Sequence, residues 1–134
     1  MTTAGNQERL EAILSQKRNA IVATIKNDGS PQVTPVSFTW DGEVLRFSTT
    51  KGRAKYFNLR RDARVTVLID SPQGYAVLYG QAEMDDNPQS ILERIRAIRR
   101  KNQGDEKADA LTWEELALEQ RVLITVRPER IIGP

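Results

Sequence analysis

Tight turns recur between short apolar runs in the first half of the chain, and this alternation restricts the possible folds more than any other feature. Apolar runs at 19–25 and 32–40 flank the pair Asp28-Gly29, and the pair Asp41-Gly42 precedes a third run at 44–50. Glycine in such a pair provides the positive φ that a tight hairpin turn requires. The sequence therefore predicts three strands joined as an antiparallel meander.

Further apolar runs predict three more strands. They lie at 64–70 and 75–83, around a turn at 71–74, and at 121–127 with a short extension at 130–132. Six strands with mostly short connections, and helices at one end and late in the chain, favour a mainly β, α+β fold: a six-stranded antiparallel β-barrel with peripheral helices. No repeat or long linker divides the sequence, so we expect a single domain over residues 1–134.

Four helices are predicted from apolar periodicity and capping residues. The first spans 7–18 and the second about 53–61; Asn87 is expected to cap the third, and 112–119 opens on a capping-box pattern and forms the fourth. The apolar side of the first helix consists of Leu10, Ile13 and Leu14, and that of the second consists of Ala54, Phe57 and Leu59. The apolar side of the third consists of Ile91, Leu92, Ile95 and Ile98.

The chain contains neither histidine nor cysteine, and this limits its chemistry. A Ser-His-Asp triad and a thiolate nucleophile are excluded, and a zinc site would have to consist of carboxylates alone. We predict no metal site, and the sequence identifies no catalytic side chain. If the protein is an enzyme, an organic cofactor would carry the reaction.

Charge and hydropathy predict where the protein is located and which classes of partner it does not bind. The formal net charge is only +2, which argues against a strong overall field for nucleic acid. The first residues lack the basic-then-apolar pattern of a secretory signal, and the longest apolar run is too short to cross a bilayer. We therefore expect a cytoplasmic protein that binds neither a membrane nor nucleic acid.

Basic residues are nevertheless concentrated in one connector, at 46–62. Ser48, Thr49 and Thr50 end a predicted strand there, and Arg53 and Lys55 begin the next helix after a glycine. This arrangement directs hydroxyls, backbone N–H groups and cations to one place, where Arg53 can bind a phosphate bidentately and Lys55 can act as a point charge. We expect both side chains to be exposed in the empty protein.

Two other interpretations of this connector are open. The cations could simply be solvated side chains of a surface helix, as most charge runs are. They could also bind nucleic acid, with Tyr56 and Phe57 as stacking platforms. The second reading is disfavoured because adjacent helical residues point in different directions and Phe57 is expected in the core.

A second unusual segment is the predicted strand around Gln32, Val33, Thr34, Pro35 and Val36. Pro35 removes one backbone donor from the ladder there. The strand therefore bulges, lies at a sheet edge, or presents its backbone to a flat ligand. From the residues alone, the edge strand is favoured.

Taken in order, these features resemble the split-barrel flavin and deazaflavin oxidoreductases, the superfamily of pyridoxamine 5′-phosphate oxidase. The matching segments cover nearly the whole chain, at 20–36, 45–70, 75–83 and 121–131. The most specific part is GRAKYFNLRRD followed by RVTVLID, and it is most similar to the branch that uses coenzyme F420, a deazaflavin. The resemblance implies a split-barrel fold and cofactor binding.

The resemblance also implies a homodimer with two cofactor sites at the subunit interface. The motif Arg53-Ala54-Lys55 would bind the cofactor phosphate, with Ser48, Thr49 and Thr50 in the same site. The segment formed by Gln32, Val33, Thr34, Pro35 and Val36 would lie along the ring system. Lys51, Arg60 or Arg61 would serve a more distal anionic tail. Tyr75 or Tyr79 of the partner could close the site, although ordinary barrel packing explains these tyrosines equally well.

The function implied is that of an F420-dependent oxidoreductase, which transfers a hydride between the deazaflavin and a small organic acceptor such as an activated double bond. FMN in the same site is the close alternative, because both cofactors have a tricyclic ring, a ribityl chain and a phosphate. A cofactor-binding protein without catalytic activity is the third possibility. The physiological substrate and the proton donor are not predicted.

Overall fold

The computed structural model describes residues 4–15 and 19–134, and only the backbone of residues 4–6. Its helices are α1 (Ala4–Leu14), α2 (Ala54–Arg61), α3 (Pro88–Gln103), α4 (Asp105–Ala110) and α5 (Trp113–Leu118). Its strands are β1 (Ala20–Ile25), β2 (Pro31–Val36), β3 (Thr39–Trp40), β4 (Leu45–Thr50), β5 (Arg64–Ser71), β6 (Gly74–Asp85) and β7 (Arg121–Ile132). No helix among the described residues has the length and apolarity needed to span a membrane.

All of these strands belong to one antiparallel sheet, in the order β2-β1-β5-β6-β7-β4-β3. The predicted hairpin turns are confirmed: Gly29 has a φ of 87° between β1 and β2, and Gly42 has a φ of 97° between β3 and β4. In the second turn, Oδ1 of Asp41 accepts hydrogen bonds of 2.9 Å from the backbone N–H groups of Glu43 and Val44. The turn residues thus fix each hairpin locally.

The prediction of a continuous three-stranded meander was wrong, because the run at 32–40 forms two strands. The sheet therefore has seven strands and not six. β2 and β3 lie at opposite edges of the sheet, although only Ser37 and Phe38 separate them. The two edge strands of a flat seven-stranded sheet would lie roughly 29 Å apart. The connection from Val36 to Thr39 is three Cα–Cα steps long and spans at most roughly 11 Å. The sheet therefore curls into a split barrel, and Phe38, fully buried, closes it from inside.

Inward-facing side chains fill the barrel. Strands β1 and β4 alternate strictly between buried and partly exposed residues, as half-buried strands should. The core consists of apolar residues of the sheet, α1 and α2, among them Val22, Phe38, Phe47, Ile69 and Ile124. The interpretation of β2 as an edge strand is confirmed: among the described strands it pairs only with β1, and Pro35 lies opposite Ile21.

The helices differ from the predictions at three points. Helix α1 begins at Ala4 and ends at Leu14, and residues 16–18 of the predicted helix lie outside the described residues. Helix α4 was not predicted. Phe57 was expected in the core, but it is 53% exposed. The reason is helical periodicity: Lys55, Asn58 and Leu59 form the inward side of α2, which turns position 57 to solvent.

A second, smaller core joins α3 to the barrel. The predicted apolar side of α3 is confirmed, since Ile91, Ile95 and Ile98 are buried against Leu111, Leu116 and Leu123. Asn87 caps the helix through Oδ1, which accepts hydrogen bonds from the N–H groups of Gln89 and Ser90. This packing fixes α3 beside the β4 end of the sheet.

Gly80 lies where β6 and β7 approach closely, next to a register shift between Tyr79 and Gly80. A Cβ atom at Gly80 would lie 2.2 Å from the carbonyl oxygen of Arg127. We expect Gly80→Ala to lower the free energy of unfolding by about 1–3 kcal/mol, because the backbone of one strand must shift. Urea denaturation measures this, with Gly52→Ala as control, since a Cβ at Gly52 meets nothing within 4 Å. An unchanged midpoint for Gly80→Ala would contradict the close approach.

Candidate functional site

A cavity of about 270 Å³ lies where the β4–α2 connector, the end of β2 and helix α3 meet. Its lining consists of Pro35, Val36, Ser37, Ser48, Thr49, Thr50, Arg53, Lys55, Ile95, Ile98, Arg99, Asn102, Gln103 and Arg121. Four of these residues are cations, and none of the lining residues that the structure shows is acidic. The cavity therefore has the electrostatic character of an anion-binding site.

Lys55 is the most unusual residue of the cavity, because it is largely buried and its ammonium has no partner in the part of the chain that the structure describes. The expectation that Lys55 would be exposed was wrong: the residue is 8% exposed, on the inward side of α2. No hydrogen bond or ion pair among the described residues involves its ammonium group. Burial, and next the guanidinium of Arg53, lower the pKa of Lys55 below its usual value. An anion in the cavity would offset both effects.

Arg53 and the beginning of α2 add donors to the same place. Arg53 is exposed, as predicted, and its guanidinium has no ion-pair partner within the described part of the chain. Arg53 is also the N-cap residue of α2, and no side chain caps this helix end. The first backbone N–H groups of α2 are therefore available to an anion.

Hydroxyl groups at the end of β4 complete this side of the cavity. Thr49 is 3% exposed, and its buried Oγ1 has no hydrogen-bond partner within residues 4–15 and 19–134. Oγ of Ser48 accepts a long hydrogen bond of 3.4 Å from Arg121, whose guanidinium also binds Glu119 at 2.9 Å. The buried hydroxyl of Thr49 and the ammonium of the largely buried Lys55, both without partners among the described residues, fit a phosphate that would satisfy them. The donor set thus suits the phosphate of a flavin or deazaflavin.

The structure brings together seven of the twelve residues predicted for the site. These are Pro35, Val36, Ser48, Thr49, Thr50, Arg53 and Lys55. The other five do not line the cavity. Gln32 accepts a hydrogen bond of 2.9 Å from Asn58, and the buried hydroxyl of Thr34, also on β2, has no partner among the residues that the structure describes. Val33 is 57% exposed, and Ala54 is exposed at the first position of α2.

Lys51, the fifth, points to the other side of the connector, where it forms an ion pair of 2.7 Å with Asp86. The two arginines considered with it for an anionic tail are also engaged. Arg61 donates a hydrogen bond of 2.6 Å to the carbonyl of Ile25, and Arg60 lies 5.6 Å from the ring centroid of Tyr56. Among these three cations, Arg60 has the weakest interaction with other groups of the protein, a cation–π contact.

From the sequence, the helices at 88–119 are only candidate walls of the site, and the residues of α3 that line the cavity were not identified. Arg99, Asn102 and Gln103 face the cavity, whereas the basic residues near the end of α3 suggest from the sequence only a favourable interaction with the helix dipole. Lys101 fixes this helix end, because its Nζ donates a hydrogen bond of 3.2 Å to the carbonyl of Phe38. Burial lowers the pKa of Lys101 to about 8. No local sequence signal distinguishes these roles, since they depend on how α3 packs.

A second surface, outside the barrel, begins at the same edge of the sheet. The strand register aligns Pro35, Ile21, Leu68, Val77 and Ile132 in one row, and Val33, Ala23, Thr66, Tyr79 and Arg130 in the next. We call these ten residues the outer face. Their neighbours along β1 and β5 point into the barrel. The explanation of Tyr75 and Tyr79 by barrel packing is wrong, because both are exposed, 52% and 42% respectively.

The outer face is mainly apolar although it is open to solvent. Leu68, near its centre, is 37% exposed. Pro35 belongs both to the outer face and to the lining of the cavity. Apolar surface of this extent on one side of a sheet is typical of an interface.

The comparisons with known proteins agree with this fold. A model of the pyridoxamine 5′-phosphate oxidase family matches residues 7–133, so the chain belongs to this family, whose members include oxidoreductases that bind flavin-type cofactors. An F420 reductase of known structure is 30% identical over 91% of this chain and 94% of its own, with a TM-score of 0.74.

Two further structures share the fold at lower identity. A conserved hypothetical protein from Mycobacterium tuberculosis is 23% identical over 99% of this chain and 88% of its own, with a TM-score of 0.79. General Stress Protein 26 from Bacillus anthracis is 20% identical over 95% of this chain and 92% of its own, with a TM-score of 0.72. The split-barrel fold implied by the sequence is therefore confirmed.

Proposed function

We propose that this protein is an F420-dependent oxidoreductase that reduces a small organic acceptor, such as one with an activated double bond. The single observation that carries the proposal is the ammonium of Lys55, a largely buried residue, which has no partner among the described residues and lines a cavity whose described lining contains no acidic side chain. A protein keeps such a charge only at a cost, which a bound anion offsets. The similarity to an F420 reductase at 30% identity supports the choice of the deazaflavin.

In this proposal the side chains bind and orient the cofactor. Arg53 and Lys55 bind its phosphate, together with the hydroxyls of Ser48, Thr49 and Thr50. The backbone and short side chains of Gln32–Val36 lie along the ring system. When bound, the reduced deazaflavin supplies a hydride to the acceptor. Because histidine and cysteine are absent from the chain, its residues serve mainly to position the reactants and to exclude water.

We further propose that the protein is a homodimer whose second subunit completes each site. A cavity of about 270 Å³ is small for a cofactor with a tricyclic ring, since ligand sites usually enclose roughly 300–1,000 Å³. The outer face is mainly apolar and reaches the cavity through Pro35. A second copy bound to this face would therefore cover the open side of the cavity. Tyr75 or Tyr79 of that copy would then approach the cofactor.

FMN is the second candidate, and one observation favours it. Lys51 and Arg61, two of the three cations proposed for the anionic tail of F420, are engaged with other groups of the protein. A ligand that ends at its phosphate needs only Arg53, Lys55 and the hydroxyls around them. The two cofactors therefore differ in what they require outside the cavity.

Titration of the cofactor-free protein with F420, and separately with FMN, tests the proposal by calorimetry. We expect F420 to bind with a Kd of about 1 μM or lower and FMN at least about tenfold more weakly, because the ion pair of Lys51 with Asp86 is exposed enough to exchange for the tail at little cost. The reverse preference would assign the protein to FMN. Binding of neither would refute the cofactor site, and F420 binding without reduction of any acceptor would favour a non-catalytic binding protein.

A further inference from the structure

The α3 side of the cavity has a different chemical character from the β4–α2 side. Arg99 brings one cation, and the amides of Asn102 and Gln103 lie one turn further along the helix. One N–H of the Asn102 amide donates a hydrogen bond of 2.9 Å to the carbonyl of Ile98, and its second N–H is left for a ligand. Ile95 and Ile98, 5% and 6% exposed, contribute apolar surface beside them. This wall therefore combines a positive charge, neutral donors and hydrocarbon.

Arg99 also differs from its basic neighbours on α3. Arg96 donates to the carbonyl that follows α4, Arg100 is paired with carboxylates of α4, and Lys101 donates to the carbonyl of Phe38. The side chain of Arg99 takes part in no hydrogen bond or ion pair within the described residues. It is the partnerless arginine on the cavity side of this helix.

The number of cations on each wall indicates which anion it suits. Arg53 and Lys55 together match the double negative charge of a phosphate monoester. A single guanidinium beside two amides matches a singly charged carboxylate, which arginine binds bidentately. The neighbouring isoleucines favour a ligand whose carboxylate is attached to an apolar body.

We propose that Arg99 binds the carboxylate of an organic-acid substrate, with Asn102 and Gln103 as further donors. This inference rests on the proposed function. The apolar body of this acid contacts the isoleucines of α3. The cofactor phosphate stays with Arg53 and Lys55. The substrate class of this chain is therefore a small unsaturated carboxylic acid, and α3 is its specificity wall.

Cinnamate and its neutral analogue cinnamamide are suitable probes. Both are titrated by calorimetry into the protein loaded with oxidised F420, or with FMN if the protein binds FMN, so that no turnover occurs. We expect cinnamate to bind wild-type protein more tightly than cinnamamide. Arg99→Gln should weaken cinnamate binding about tenfold or more and leave cinnamamide and cofactor binding unchanged, because only a charge-assisted contact is lost. The matched control is Arg94→Gln, an exposed arginine of α3 that does not line the cavity.

Three results would overturn the assignment. Acid and amide could bind wild-type protein equally, or neither could bind. Arg99→Gln could leave cinnamate binding unchanged. Arg99→Gln could also weaken cofactor binding as strongly as Lys55→Met does, which would make Arg99 a cofactor ligand. If the protein binds neither cofactor, the proposed function fails, and cinnamate is titrated into the cofactor-free protein. Arg99-dependent binding there would retain the carboxylate site without the oxidoreductase function.

Discussion

Lys55→Met is expected to weaken the binding of F420 by about 10- to 100-fold while making the cofactor-free protein more stable. The loss of affinity follows because a charge-assisted contact to a phosphate contributes about 1.5–3 kcal/mol. The gain in stability follows because methionine fills a similar volume without the partly desolvated, unpartnered charge of Lys55, whose removal contributes about 1 kcal/mol. A structural lysine would show losses of both quantities, so opposite signs identify a binding residue.

Calorimetric titration with F420 and thermal unfolding of the cofactor-free protein measure the two effects. Lys26→Met serves as control, because Lys26 is exposed in the β1–β2 turn and lies outside the cavity lining. Inorganic phosphate is a third probe, and its binding should also require Lys55. If Lys55→Met folds normally and binds F420 and phosphate as tightly as wild-type protein does, the phosphate assignment is wrong. A lower melting temperature of the empty variant would show that the ammonium has a stabilising partner.

Leu68→Arg is expected to convert the proposed homodimer into a monomer. Leu68 lies on the middle strand of its row on the outer face, between Ile21 and Val77. A guanidinium placed there would be buried without a partner on association, at a cost of several kcal/mol per subunit. The barrel should remain folded, because Leu68 is partly exposed and lies outside the barrel core. In the proposed dimer the second copy completes the cavity, so F420 should also bind about tenfold or more weakly to the monomer, as each lost charged or well-buried contact contributes at this scale.

Sedimentation of the cofactor-free protein measures this prediction. Leu118→Arg is a matched control, since it makes the same chemical change at a leucine that is 87% exposed on α5. We expect wild-type protein and Leu118→Arg to be dimers. Monomeric wild-type protein would refute the interfacial site. A dimer formed by Leu68→Arg, or a monomer formed by Leu118→Arg, would place the interface on another surface.

The phosphate motif and the burial of Lys55 differ in how far the sequence predicts them. The phosphate motif around Arg53 and Lys55 is visible in the sequence, because a hydroxyl-rich strand end, a glycine and two cations are adjacent along the chain. The burial of Lys55 is not visible there. Lys55 lies on the inward side of α2 together with Asn58 and Leu59, and the orientation of that side depends on how the helix packs against the barrel.

The sequence by itself determined the features that depend on neighbouring residues. Asp-Gly pairs fixed two hairpins, alternation of apolar residues fixed the strands, and Asn87 fixed the start of α3, because each of these effects acts over a few residues. The tertiary structure decided which strands are neighbours, where the run at 32–40 breaks, and that Arg99 faces the same cavity as Lys55. These outcomes depend on packing between segments far apart in the sequence, whose energies no local pattern contains.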